Sequence, residues 1–179
     1  MGKLVKALEG SLAGDIILCP YNDYANELYG RSLFGTITDT KMLQLTFYEA
    51  LYLLERGNLT ITNRHKKTLG FDTLLKKAIT YQKRFFTHYC VFKDLRKKGY
   101  IVKTALKFGA EFRVYEKGIR PGEDHAKWIV YPVNEKETQT WYEFSAKNRV
   151  AHSTKKKLLI AVVDAEADVT YYEVAWTKP

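Results

Sequence analysis

The feature that most constrains this chain is a change of period at Gly99. Residues 74–99, LLKKAITYQKRFFTHYCVFKDLRKKG, hold no proline and no glycine before their last position, and their apolar side chains recur at helical spacing. Beyond Gly99 the apolar residues gather into strand-length runs, GYIVKTALKFGAEFRVY, AKWIVYPV, LLIAVVD and VTYYEVAW, with one short helical pattern in ETQTWYEFSAKNRV. Helix first, then a sheet carrying one inserted helix, predicts an α+β unit rather than a bundle or an all-β sandwich. The 74–99 segment is longer than an ordinary helix, and its weakest point lies between Thr80 and Lys83. A boundary there divides the chain into two small domains, residues 1–82 and 83–179.

The N-terminal part reads as mixed α and β. AGDIILCP is strand-like, with turn signals at Pro20, Asn22, Gly30 and Gly35. From Asp39 the spacing of Met42, Leu45, Tyr48, Leu51 and Tyr52 predicts a helix that stops at Gly57. NRHKKTLGFDTLL predicts a turn and then a short helix with Asp72 as its N-cap.

Lysine and arginine outnumber aspartate and glutamate by 29 to 20, a net charge of +9, which favours a polyanionic partner. The first stretch, MGKLVKALEGSLAGDIIL, is broken by Lys6, Glu9 and Asp15, so it does not read as a signal peptide. No apolar run approaches the ~20 residues that span a bilayer, so a soluble, cytoplasmic protein without a membrane partner is expected. Cys19 and Cys90 stand in unrelated contexts and are expected in the core.

No phosphate-binding loop and no dinucleotide fingerprint occurs, and the four histidines show no metal-ligand spacing. Glu111, Asp164, Glu166 and Asp168 fall in separate contexts, so neither a metal site nor a cofactor is expected. His88 is placed on the long helix as a core or surface residue, His65 in a solvated basic turn, and His152 at the entry to a strand in a structural role. His125 stands apart, because IRPGEDHAKWIV sets it at the end of a loop immediately before a strand. Tyr115 closes the run FRVY just before the same loop, as a packing residue or a reactive phenol. In Lys155, Lys156 and Lys157, strand alternation would keep the outer two off the face of the middle one. If Tyr115, His125 and Lys156 converge, they supply a base, an acid and a fixed cation. That set suffices for RNA cleavage by the neighbouring 2′-hydroxyl, with acid–base help contributing typically ~10²- to 10⁴-fold.

The blocks LRKKGYIVKTALKFGAEFRVY, the loop histidine His125 and RVAHSTKKKLLIAVVD, in this order, closely resemble the C-terminal catalytic domain of archaeal tRNA-intron splicing endonucleases. The likeness covers approximately residues 80–179, and YEALYLLERGNL is similar to that family's N-terminal domain. The resemblance implies a mixed sheet flanked by helices and metal-independent cutting of precursor tRNA at both intron boundaries, within a bulge-helix-bulge, leaving 2′,3′-cyclic phosphate and 5′-hydroxyl ends. It carries the catalytic tyrosine, histidine and lysine onto Tyr115, His125 and Lys156, and a bulge-stacking arginine onto Arg149. It also implies a homotetramer, built as a dimer of dimers. An acidic loop, here Asp164, Glu166 and Asp168, would dock on another subunit, and the last strand, VTYYEVAW, would form a dimer contact. The chain departs from the family pattern at Ala105, where glycine is frequent, and at Glu111, where aspartate is. A non-catalytic RNA-binding subunit and a metal-dependent DNA nuclease are the competing expectations.

Overall fold

The computed structural model describes residues 7–105 and 109–177 and divides into two compact units, one ending at Phe86 and one beginning at Thr87. The architecture is α+β. Within the described residues no helix is long and apolar enough to cross a membrane.

In the first unit β1 (Leu8–Ala13) and β2 (Ile16–Pro20) form a hairpin, turning at Gly14 with φ +65°. After them come α1 (Asp23–Ser32), β3 (Thr36–Ile37), β4 (Met42–Thr46), α2 (Phe47–Glu55), β5 (Leu59–Thr62) and α3 (Phe71–Tyr81). The sheet order is β3-β4-β2-β1-β5, antiparallel throughout except for the parallel pair β1 and β5. Residues 47–53 of α2 are all buried, and each large apolar side chain among them adds roughly 1.5–3 kcal/mol.

Two expectations are corrected here. The helix does not begin at Asp39: Met42 and Leu45 lie on β4, where Leu43 and Leu45 alternate into the core. The start is set at Phe47 by a capping box, in which Thr46 accepts from the Glu49 N–H while the Glu49 carboxylate accepts from the Thr46 N–H. Glu49 also accepts from the Gly35 N–H at 2.8 Å, which ties the helix start to the preceding turn. Asp72 is not an N-cap either. Gly70 holds that position without a side-chain bond, and Asp72 sits in the first turn of α3, where a carboxylate favours the helix dipole.

The helical pattern of residues 74–99 breaks at Gln82, whose backbone is extended, inside the window read from the sequence. It resumes as α4 (Phe85–Lys97), followed by β6 (Ile101–Thr104), β7 (Phe112–Tyr115), β8 (Trp128–Asn134), α5 (Trp141–Ser153), β9 (Lys157–Val163) and β10 (Val169–Val174). Leu106, Lys107 and Phe108 of the predicted strand run lie outside the described residues.

The second sheet has the order β10-β9-β8-β7-β6. It is antiparallel except for the parallel pair β8 and β9, which α5 connects, as a parallel pair requires. Register partners share a face. One face carries Phe112, Val114, Val130 and Leu159, with Phe112 against His88 and Phe92 of α4. The other carries Ile129 and Leu158, which pack with Ala105, Ala110, Tyr131 and Ala151 of α5. His88 is therefore a core residue, 1 % exposed, with Nε2 3.8 Å from Glu111 Oε1. Cys19 and Cys90 are both buried, as expected, and burial pushes the Cys19 thiol up to about 12.

Candidate active site

Backbone bonds meeting at Lys127 assemble the site. Its N–H donates to Val114 O at 3.0 Å, and its carbonyl accepts from the Lys157 N–H at 2.9 Å. The returning loop is thus stitched at one point to β7 and to the start of β9. Tyr115, His125 and Lys156 each lie one or two residues from that junction. All three line one open pocket of about 360 Å³, shared with Arg113, Glu123 and Asp124.

Each side chain is fixed by a different local cause. Tyr115 is the last residue of β7 and only 4 % exposed, so its ring is held by packing. His125 is solvent-exposed at the loop end, and its own N–H donates to Asp124 Oδ1 at 2.6 Å. The segment before it is tightened by bonds from Ile119 N–H to Glu116 O and from Glu123 N–H to Arg120 O, both 3.0 Å.

Lys156 is placed by the end of α5. Lys155 adopts a left-handed conformation, φ +54°, and the Lys156 N–H donates back to Ala151 O at 2.9 Å. Glycine normally takes such a closing position, and a lysine there costs roughly 1–2 kcal/mol. The Lys156 ammonium donates to Thr154 O at 2.9 Å, which fixes its direction within the pocket. The reason the three lysines diverge is partly corrected: Lys155 and Lys156 precede the strand, which starts at Lys157. Lys157 pairs with Glu173 Oε1 at 2.5 Å. His152 is likewise not at a strand entry but in the last turn of α5, edge-on to Trp176 at 4.3 Å.

Arg113 has no counterpart among the residues singled out from the sequence. It precedes Tyr115 by two positions on β7, so both side chains leave the same face of the sheet. Its Nε–H is enclosed by protein and has no hydrogen-bond partner among the described residues. A buried donor left unpaired costs roughly 1–3 kcal/mol. The signal in the sequence was the two-residue offset from Tyr115 in FRVY.

Among the described residues no three His, Cys, Asp or Glu side chains gather as a metal-ligating group. A phenol, an imidazole and two cations around one opening can move protons and hold a phosphate.

The profile of the tRNA intron endonuclease catalytic C-terminal domain matches residues 85–171, and that of the same family's N-terminal domain matches residues 8–75. The chain belongs to the tRNA intron endonuclease family. Among its relatives, the tRNA-splicing endonuclease of Nanoarchaeum equitans is 46% identical over 153 residues, 82% of this chain and 97% of the relative. Those of Methanothermobacter thermautotrophicus and Thermococcus kodakarensis are each 38% identical, over 96% and 93% of this chain and 99% and 96% of theirs.

The remaining residues singled out from the sequence lie elsewhere in this member of the family. Arg149 is exposed on α5 and is not among the residues lining the pocket. Asp164, Glu166 and Asp168 occupy the turn between β9 and β10. Asp164 Oδ1 accepts from the Asp168 N–H at 2.8 Å, Ala167 is left-handed at φ +67°, and Glu166 and Asp168 are exposed. The strand β10 is an edge of its sheet, and Tyr172 on it and Trp176 two residues beyond it are each 56 % exposed.

Proposed function

We propose that this chain is a tRNA-splicing endonuclease that cuts precursor tRNA at both intron boundaries within a bulge-helix-bulge, without a metal ion. The single observation supporting this reading is the pocket shared by Tyr115, His125 and Lys156, in a chain whose two halves match the family's two domains.

The chemistry follows from the side chains. Tyr115, acting as the phenolate, takes the proton from the 2′-hydroxyl next to the scissile phosphate and becomes the phenol, and the new O2′–P bond forms. The P–O5′ bond breaks, and His125 protonates the departing oxygen. Lys156 offsets the negative charge that accumulates on the pentacovalent phosphorus. The products are a 2′,3′-cyclic phosphate and a 5′-hydroxyl, and no water is consumed. Acid–base help of typically ~10²- to 10⁴-fold, together with a preplaced ammonium, supplies the acceleration. The donor set calls for no cofactor.

Recognition and assembly belong to the same proposal. Arg149, exposed on α5, stacks its guanidinium on an unpaired base of the bulge. The turn bearing Asp164, Glu166 and Asp168 docks on another copy, and the edge strand β10 forms a dimer contact, giving a homotetramer as a dimer of dimers. The open edge and its exposed aromatics support this assembly over a solvated hairpin.

The deciding experiment is incubation with an intron-containing precursor tRNA in excess EDTA, followed by analysis of the ends. Two cuts with cyclic phosphate and 5′-hydroxyl termini are expected. Dependence on added magnesium, or 5′-phosphate ends, would overturn the reading.

A further inference from the structure

We infer that Arg113 is a second phosphate-binding cation of this pocket, donating to a non-bridging oxygen of the scissile phosphodiester beside Lys156. The inference rests on the proposed RNA-cleaving reaction and adds a substrate contact to it.

Four observations converge. Arg113 lines the pocket that holds Tyr115, His125 and Lys156. It shares a sheet face with Tyr115, two residues along β7. Its register partner on β8 is Ile129, a fully buried core residue, so the stem runs beside apolar surface while the residue as a whole stays half-buried. Its Nε–H finds no partner among the described residues.

Native proteins rarely leave a buried guanidinium nitrogen unpaired. The two acids that line the pocket each accept from the loop backbone, Glu123 from the Arg120 N–H at 3.2 Å and Asp124 from the His125 N–H at 2.6 Å, and neither bonds to Arg113 Nε. A guanidinium left short of a partner at the wall of a reaction pocket is explained by an anion that arrives from the pocket side. The planar fork of arginine matches two phosphate oxygens, which an ammonium cannot do.

The test is single-turnover cleavage of a bulge-helix-bulge RNA by R113M and R113K, with H125A run in parallel. If Arg113 only filled space, methionine would remove an unpaired donor and leave cleavage unchanged. The inference predicts that R113M loses about 10²-fold in cleavage rate without a lower Tm, and that R113K recovers only part of the loss. Wild-type cleavage by R113M beside an inactive H125A would overturn the Arg113 assignment alone. A fully active H125A would overturn the underlying reaction. If R113M does not fold, the wild-type protein decides: the Arg113 Nε–H resonance, assigned by its loss in R113K, should shift when 2′-deoxy RNA binds. An unmoved resonance with RNA bound, as measured by fluorescence anisotropy, would equally overturn the inference.

Discussion

Lys156 and Lys157 are neighbours in the chain that serve opposite faces of one sheet. Lys156 lines the pocket with His125 and donates to Thr154 O, whereas Lys157 reaches across to Glu173 Oε1 at 2.5 Å. Glu173 also accepts from Trp128 Nε1 at 2.7 Å, so this second lysine belongs to a structural network.

That network has a pH signature. Hydrogen bonds from Lys157 and then from Trp128 hold the Glu173 carboxyl below its usual range. A carboxyl with a lowered folded pKa contributes stability above the unfolded value, and the contribution is lost as pH falls through the folded value. Wild-type Tm should therefore fall more steeply than that of E173Q on acidification below about pH 5. The exposed setting keeps the difference small. K157A should mimic E173Q in this assay and still cleave RNA, which would separate it from K156A.

Y115F, H125A and K156A should each lower the single-turnover cleavage rate by roughly 10²- to 10⁴-fold, with RNA affinity little changed. If the three act on one transition state, as proposed, the Y115F/H125A double variant should lose far less than the product of the single losses. Fully multiplicative losses would mean that the two side chains do not act as a unit.

R149A should weaken binding of a bulged RNA by about 1–3 kcal/mol while leaving affinity for a fully paired duplex nearly unchanged. Equal weakening of both would assign Arg149 a general phosphate contact. Anisotropy titrations at fixed salt distinguish the two outcomes.

Reversing the charges of Glu166 and Asp168 should lower the mass observed by light scattering. Asp164 is better left in place, because its carboxylate closes the turn onto the Asp168 N–H. An unchanged mass would make the turn a solvated hairpin end.

Much of this was legible in the sequence, for identifiable reasons. The period change at Gly99 gave the helix-then-sheet order, and the pocket residues stood at strand ends and at the end of a loop, where a scaffold fixes them. The false helix start at Asp39 arose because Met42, Leu45 and Tyr48, three apart, imitate a helix. The alternation of Leu43 with Leu45 and the Thr46–Glu49 box carried the correct start. His152 and Lys155 were drawn into the strand because a lysine closing a helix in the left-handed conformation has no sequence signature, unlike glycine. Arg113 escaped because an arginine inside FRVY looks like an outward strand residue until the register puts it beside Ile129.

The most direct measurement is cleavage of a bulge-helix-bulge RNA carrying a single 2′-deoxy nucleotide at one scissile position. The account predicts binding within about a factor of two or three of the all-ribose RNA, no cut at the deoxy site and a normal cut at the other bulge, since only the internal nucleophile has been removed. Continued cutting at the deoxy position would mean that water attacks the phosphorus, and it would contradict the roles given to Tyr115, His125 and Lys156.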